Sequence, residues 1–92
     1  MPAYPVYLSH LRDYRIVMVP AFEMRKIEYF EDRTKKALDN IFKYGQNDVH
    51  NVEGKPSVMV GDIIEFEGKM FRVENEGFKE LSEFAGEVVS AK

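Results

Sequence analysis

Apolar and polar positions along this chain change their period several times, and each change marks an element. Residues 14–19 read Tyr-Arg-Ile-Val-Met-Val, with apolar side chains at both odd and even positions. A strand with two apolar faces is expected where both are covered, so this run predicts a central strand. Pro20 has no backbone N–H and ends its pairing. Val6-Tyr7-Leu8 predicts a shorter strand just after Pro5.

The period then lengthens. Phe30, Thr34, Ala37, Leu38, Ile41 and Phe42 fall at helical spacing and make one stripe, which predicts a helix over 31–44. Arg33, Lys35, Lys36, Asp39 and Lys43 lie mostly off the stripe. Glu31 and Asp32 stand at the end where the helix dipole favours negative charge, and Lys43 stands near the other. Gly45 follows directly and is expected to close the helix with a positive φ.

Residues 46–57 are polar and rich in Asn, Asp and Gly, which predicts a loop. Beyond it the period shortens to two. Asp62–Phe66 and Lys69–Glu74 alternate around Glu67-Gly68, a two-residue hairpin turn. That turn pairs Phe66 with Lys69, Ile64 with Phe71 and Asp62 with Val73. Ile64, Phe66, Phe71 and Val73 then share one face, and Glu65, Arg72 and Glu74 share the other. Gly77–Leu81 predicts a short closing strand. Residues 82–92 predict a helical turn through Phe84, Ala85 and Val88 and a frayed tail. The sum is one α+β domain over residues 1–92: a small, mainly antiparallel sheet with one principal helix packed on one face.

Composition narrows the function more than the fold. Ninety-two residues with 45% hydrophobic content support one modest core, to which seven Phe and five Tyr contribute large buried areas. There is no cysteine, so neither a disulfide nor a thiolate nucleophile is available, which suits a reducing cytoplasm. No apolar run approaches the roughly 20 residues needed to cross a bilayer. The formal net charge is −3, with the acidic excess in the second half. A duplex-binding domain usually carries the opposite sign.

Candidate chemistry is sparse. His10 and His50 are the only histidines, and neither has a ligand-spaced neighbour, so no metal or other cofactor is expected. The glycines are dispersed and form no phosphate loop, and the serines lack a nucleophile-elbow context. The sequence pattern places no second carboxylate or histidine beside Asp62, so Asp62 is read as a turn cap after Gly61. No catalytic residue is therefore assigned. Two constellations remain. Gln46-Asn47-Asp48 emerges from the helix end, and with Tyr44 and His50 it is a candidate binding loop; the competing reading is that Asn47 and Asp48 only shape the turn. Arg33, Lys35, Lys36 and Lys43 form a candidate basic face, which Tyr29 and Tyr44 could interleave as stacking groups and which Glu28, Glu31, Asp32 and Asp39 dilute.

Three blocks, Tyr44–Asp48 (Tyr-Gly-Gln-Asn-Asp), Pro56–Ile64 (Pro-Ser-Val-Met-Val-Gly-Asp-Ile-Ile) and Gly77–Leu81 (Gly-Phe-Lys-Glu-Leu), stand in order along the chain. In this they resemble a group of small, largely uncharacterised proteins of bacteriophages and bacterial mobile elements, and Asp13–Ala21 sits where that group carries a strand. The resemblance implies no activity, cofactor or catalytic residue. A weaker similarity, through Val60-Gly61-Asp62 alone, runs to PUA-like and SH3-like barrels. The expectation is a non-enzymatic cytoplasmic accessory protein of phage or mobile-element type that binds a host or phage macromolecule, with a protein as partner and no membrane. Two alternatives stay open: a nucleic-acid-binding barrel-like module, and a small-molecule or nucleotide binder with a pocket between helix and sheet.

Overall fold

The computed structural model describes residues 2–46 and 56–81. Five antiparallel strands form one sheet: β1 (Ala3–Leu8), β2 (Asp13–Met18), β3 (Ile63–Phe66), β4 (Lys69–Val73) and β5 (Phe78–Leu81). Their spatial order is β2-β1-β3-β4-β5. Among the described residues between β2 and β3 are two helices, α1 (Ala21–Arg25) and the longer α2 (Arg33–Tyr44). Ala37, Leu38, Ile41 and Tyr44 of α2 are buried and share one core with Val6, Leu8, Val17, Val19, Ile64, Phe66, Phe71 and Val73 of the sheet. The fold is thus the small α+β arrangement that the alternating and helical periods predict.

The β3–β4 hairpin follows its sequence pattern residue by residue. Ile64 pairs with Phe71 and Phe66 with Lys69, and the Val73 N–H donates to the Asp62 carbonyl at 2.8 Å. Glu67 (φ 52°) and Gly68 (φ 79°) both take positive φ, as a tight turn matched to the strand twist requires. β5 closes on β4 with Val73 opposite Phe78 and Met70 opposite Leu81.

Four expectations need correction. β1 starts at Ala3 and carries Pro5 inside it. β2 is not central: it is an edge strand, with only β1 beside it among the described residues. The main helix begins at Arg33, because residues 26–32 form successive turns, and Phe30 is left half exposed. Gly45 has φ −85° and ψ 0°, not a positive φ. Glycine is needed there for another reason. A Cβ on Gly45 would lie 2.5 Å from Val58 Cγ2 and 3.2 Å from the Ile41 carbonyl, so residue 58 packs where a side chain would stand. The helical turn expected within 82–92 lies outside the described residues.

Candidate functional site

The phase of the β1–β2 ladder decides what β2 presents to its surroundings. Val19 N–H donates to the Pro2 carbonyl at 3.0 Å, and the register pairs Ala3 with Met18, Pro5 with Ile16 and Tyr7 with Tyr14. Antiparallel bonds alternate along a ladder. Tyr4–Val17, Val6–Arg15 and Leu8–Asp13 are therefore the bonded pairs, and the amides of Tyr14, Ile16 and Met18 point away from β1. This phase also accommodates Pro5: its missing N–H would face β3, whose pairing with β1 is confined to Val6 and Tyr7.

The side chains of the same three residues lie on the sheet face opposite α2. Val17 and Arg15 point inward and are buried, whereas Tyr14, Ile16 and Met18 are 51%, 55% and 46% exposed. On that face Tyr7 packs edge-on against Tyr14, with ring centroids 5.1 Å apart. Partial burial, then the charge of Glu65 and the neighbouring Tyr7, push the Tyr14 phenol above its usual range. The row carries no formal charge. Sequence reading noticed these residues and took their second apolar face for core. At β2 this face is apolar and about half exposed.

The candidate loop is held by an internal clamp. Arg15 is buried, and its Nη1 donates to the carbonyls of Gly45 at 2.7 Å and Pro56 at 2.5 Å. Burial lowers its pKa from the ordinary value. Gln46 Nε2 donates to the Phe42 carbonyl at 3.0 Å and the Val58 carbonyl at 2.9 Å. Val58 N–H in turn donates to the Gly45 carbonyl at 3.1 Å. The two stems of the loop are thereby fastened together. Tyr44 is buried, and its hydroxyl donates to Glu23 Oε2 at 2.6 Å. That hydrogen bond, with Lys26 and Lys43 nearby, holds the Glu23 carboxyl below the ordinary carboxylate range. Tyr44 and Gln46 thus have their polar groups engaged within the chain. Asn47, Asp48 and His50 lie outside the described residues.

The basic face is largely paired. Arg33 forms a bidentate contact with Glu67, and Lys35 approaches Asp39 at 3.4 Å. Lys43 stands 3.9 Å from Glu23, while the Lys36 ammonium lies 4.8 Å from the Phe30 ring centre. Tyr44, expected to stack on a ligand, is turned into the core instead.

Among the described residues Asp62 is one of two buried charged residues, and it joins the two hairpins. Its Oδ1 accepts the Ser9 N–H at 3.0 Å and its Oδ2 accepts the Met59 N–H at 2.9 Å. Ser9 Oγ donates to the Gly61 carbonyl at 2.7 Å. His10 Nδ1 lies 3.8 Å from Asp62 Oδ1, so a histidine does stand beside this carboxylate, although none is near it in sequence. The carboxylate caps the turn, as the Gly61-Asp62 pattern predicts, and it also fastens the β1–β2 turn to the entry of β3.

A groove of about 500 Å³ lies between α2 and the β4–β5 side of the sheet. Leu38, Phe71 and Phe78 line it, with Lys35, Glu76 and Glu80 also on its walls. Among the described residues no group of three or more His, Asp or Glu side chains is placed to hold a metal, and no helix is long and apolar enough to cross a membrane. Comparison with protein-family models, with curated proteins and with solved structures finds no match. The class of protein is therefore stated from the fold itself: a five-stranded antiparallel α+β protein whose helices cover one face.

Proposed function

We propose that this chain is a non-enzymatic binding protein that docks an apolar segment of a protein partner on the outer face of β1 and β2. One observation carries the reading: Tyr14, Ile16 and Met18 form an uncharged row about half exposed, on a strand whose inward residues are already buried. An apolar, uncharged surface is matched by an apolar protein segment and offers nothing to a phosphate backbone. The helix cations suit nucleic acid less well, because Arg33, Lys35 and Lys43 each stand against a carboxylate. The α2–β5 groove suits a nucleotide less well, because two carboxylates, Glu76 and Glu80, line it against one cation, Lys35. The wider setting, a cytoplasmic accessory protein of phage or mobile-element type, belongs to the same proposal. It rests on the resemblance of the Tyr44–Asp48, Pro56–Ile64 and Gly77–Leu81 blocks and on the absence of cysteine.

The test pairs two variants. Ile16→Ser with Met18→Ser changes the outer face, and Lys35→Ala with Lys36→Ala changes the helix. The expected result is a captured protein partner that the first variant loses and the second retains, with both melting as wild type. The reverse pattern, together with oligonucleotide binding that falls steeply with salt, overturns the proposal in favour of the nucleic-acid reading.

A further inference from the structure

The two edges of this sheet are built differently. Natural edge strands are commonly blunted by shortness, charged side chains, proline, bulges or a covering segment. β5 uses two of these devices: it has four residues, and Lys79 and Glu80 stand in its middle. β2 uses none of them across its centre. It has six residues, pairs one-to-one with β1 without a bulge, and contains no proline or lysine. Its one central charge, Arg15, is turned into the core. The Tyr14 N–H is capped by the Asp13 carboxylate at 2.7 Å. The outward amides of Ile16 and Met18 meet no strand among the described residues.

We infer that the edge of β2 pairs with β2 of a second copy of this chain, antiparallel, about a two-fold axis at Ile16. The ladder phase selects this register. A bonded antiparallel pair needs both residues to turn their amides toward each other, and on β2 only Tyr14, Ile16 and Met18 face outward. Centring on Ile16 sets Ile16 against itself, and Tyr14 and Met18 against Met18 and Tyr14 of the second copy. All three outward residues are then matched, once the Asp13 carboxylate yields the Tyr14 N–H to the second copy. A shift of one residue would oppose an outward amide to one already bonded to β1, and a shift of two would lose a matched pair. The flanking pairs set Arg15 against Val17 and Asp13 against Val19, so no charge meets its like. The two five-stranded sheets become one. Their uncharged outer rows join into a single apolar platform across the axis. Such a contact is isologous, as a two-fold dimer requires, and its main-chain bonds are those of strand addition.

Magnitude sets the conditions of the test. One six-residue strand gives an area below the roughly 800 Å² per partner of a standard interface, so a dissociation constant of micromolar order or weaker is expected. Sedimentation equilibrium from about 5 to 500 µM spans that range. The mass is expected to rise from 10.7 kDa toward twice that value. N-methylation of the Ile16 amide in a synthetic chain removes one outward donor and leaves every side chain in place. It should hold the mass at the monomer value with an unchanged circular dichroism spectrum. Ile16→Lys should do the same by placing a charge on the axis, and Lys79→Ala on the opposite edge should leave the dimer intact.

A wild-type chain that stays monomeric across the range overturns the inference, as does a dimer that survives both Ile16 changes. Should N-methylation abolish capture of a different protein by a chain that is itself monomeric, the edge belongs to a partner's strand and the second copy is excluded. The inference goes beyond the proposed partner reading and is separable from it. Mass reports the backbone edge, whereas capture by the Ile16→Ser and Met18→Ser variant reports the side-chain face.

Discussion

The two hairpins of this protein meet at Asp62, yet their sequences treat the second face of the sheet differently. In β3–β4 the inward residues Ile64, Phe66, Phe71 and Val73 are buried, and opposite them β4 alternates cleanly with Arg72 outward, while β3 places Glu65 beside a buried Ile63. In β1–β2 the inward residues are buried as well, but the outward ones are Tyr7, Tyr14, Ile16 and Met18. A strand with clean alternation reports one buried face. A strand apolar on both faces reports that two faces want cover, and it does not say that this chain supplies both. β2 stands at the edge, and there its outward amides meet no strand among the described residues. The first hairpin therefore leaves an apolar row half exposed at β2, whereas β3–β4 commits Ile64, Phe66, Phe71 and Val73 to the core.

The sharpest way to break this comparison is to truncate one residue on each hairpin. Phe71→Ala removes a buried ring from the inward face and should cost about 3–5 kcal/mol. Ile16→Ala removes a half-exposed side chain and should change stability by less than about 0.5 kcal/mol. Urea unfolding of the two variants decides it. Equal losses would mean that Ile16 belongs to the core and that the outer face is not a contact surface.

Asp62 tests the link between the hairpins. Asp62→Ala leaves the Ser9 and Met59 N–H groups without their acceptor. The expected loss is about 2–4 kcal/mol, the scale of two backbone donors left unsatisfied in a part-buried site. Asp62→Asn keeps one side-chain carbonyl and should lose less. Amide exchange at Ser9 and Met59 should quicken in the alanine variant. Unchanged protection at Ser9 would show that the β1–β2 turn is held by other contacts.

How far these features were legible depends on the separation of the residues that make them. The β3–β4 register could be read because the turn and both strands lie within thirteen residues, and alternation leaves one phase that buries Ile64 and Phe71. The place of β2 could not, because strand order is set by which partners arrive from elsewhere in the chain. α1 was missed: five residues are too few for a period of 3.6 to show. The Ser9–Asp62 bond joins residues 53 apart and leaves no local pattern. At Gly45 the residue was legible as special, but the cause was not. A positive φ is a local property, whereas the approach of Val58 is a tertiary one. The internal roles of Tyr44 and Gln46 were hidden in the same way, since Glu23 and Val58 reach them only in the folded chain.

That approach sets the next prediction. Gly45→Ala should cost about 1–3 kcal/mol through overpacking, although the backbone angles there suit any residue. Pairing it with Val58→Ala, which removes the methyl group nearest the new Cβ, should make the double variant more stable than the sum of the two single losses predicts. Strict additivity would place the strain somewhere other than the Val58 contact. The same cycle asks whether the loop stem, and so the inner side of β2, is fixed by packing as well as by the Arg15 and Gln46 bonds.

The smallest expected effect lies at the tip of the second hairpin. Glu67 accepts two hydrogen bonds from the Arg33 guanidinium, which ties the β3–β4 turn to the first turn of α2. That interaction holds the Glu67 carboxyl below its ordinary range. It also raises the Arg33 guanidinium, which is the same contact seen from the other side and is not counted twice. A carboxyl whose pKa is depressed by folding stabilises the native state above its unfolded pKa, about 4.3 for glutamate, and loses that contribution as pH falls through the folded value. Both groups are partly exposed, so solvent and salt screen the pair, and exposed pairs are worth about 0–1 kcal/mol. The measurement is the gap in melting temperature between wild type and Glu67→Gln from neutral to acid pH. The gap should be present at pH 7, shrink with added salt, and close once Glu67 is protonated in both folded and unfolded chains. A gap that stays constant in acid would mean that the variant acts through the positive-φ turn at Glu67 rather than through its charge, and the second hairpin would then be held to the helix by its apolar face alone.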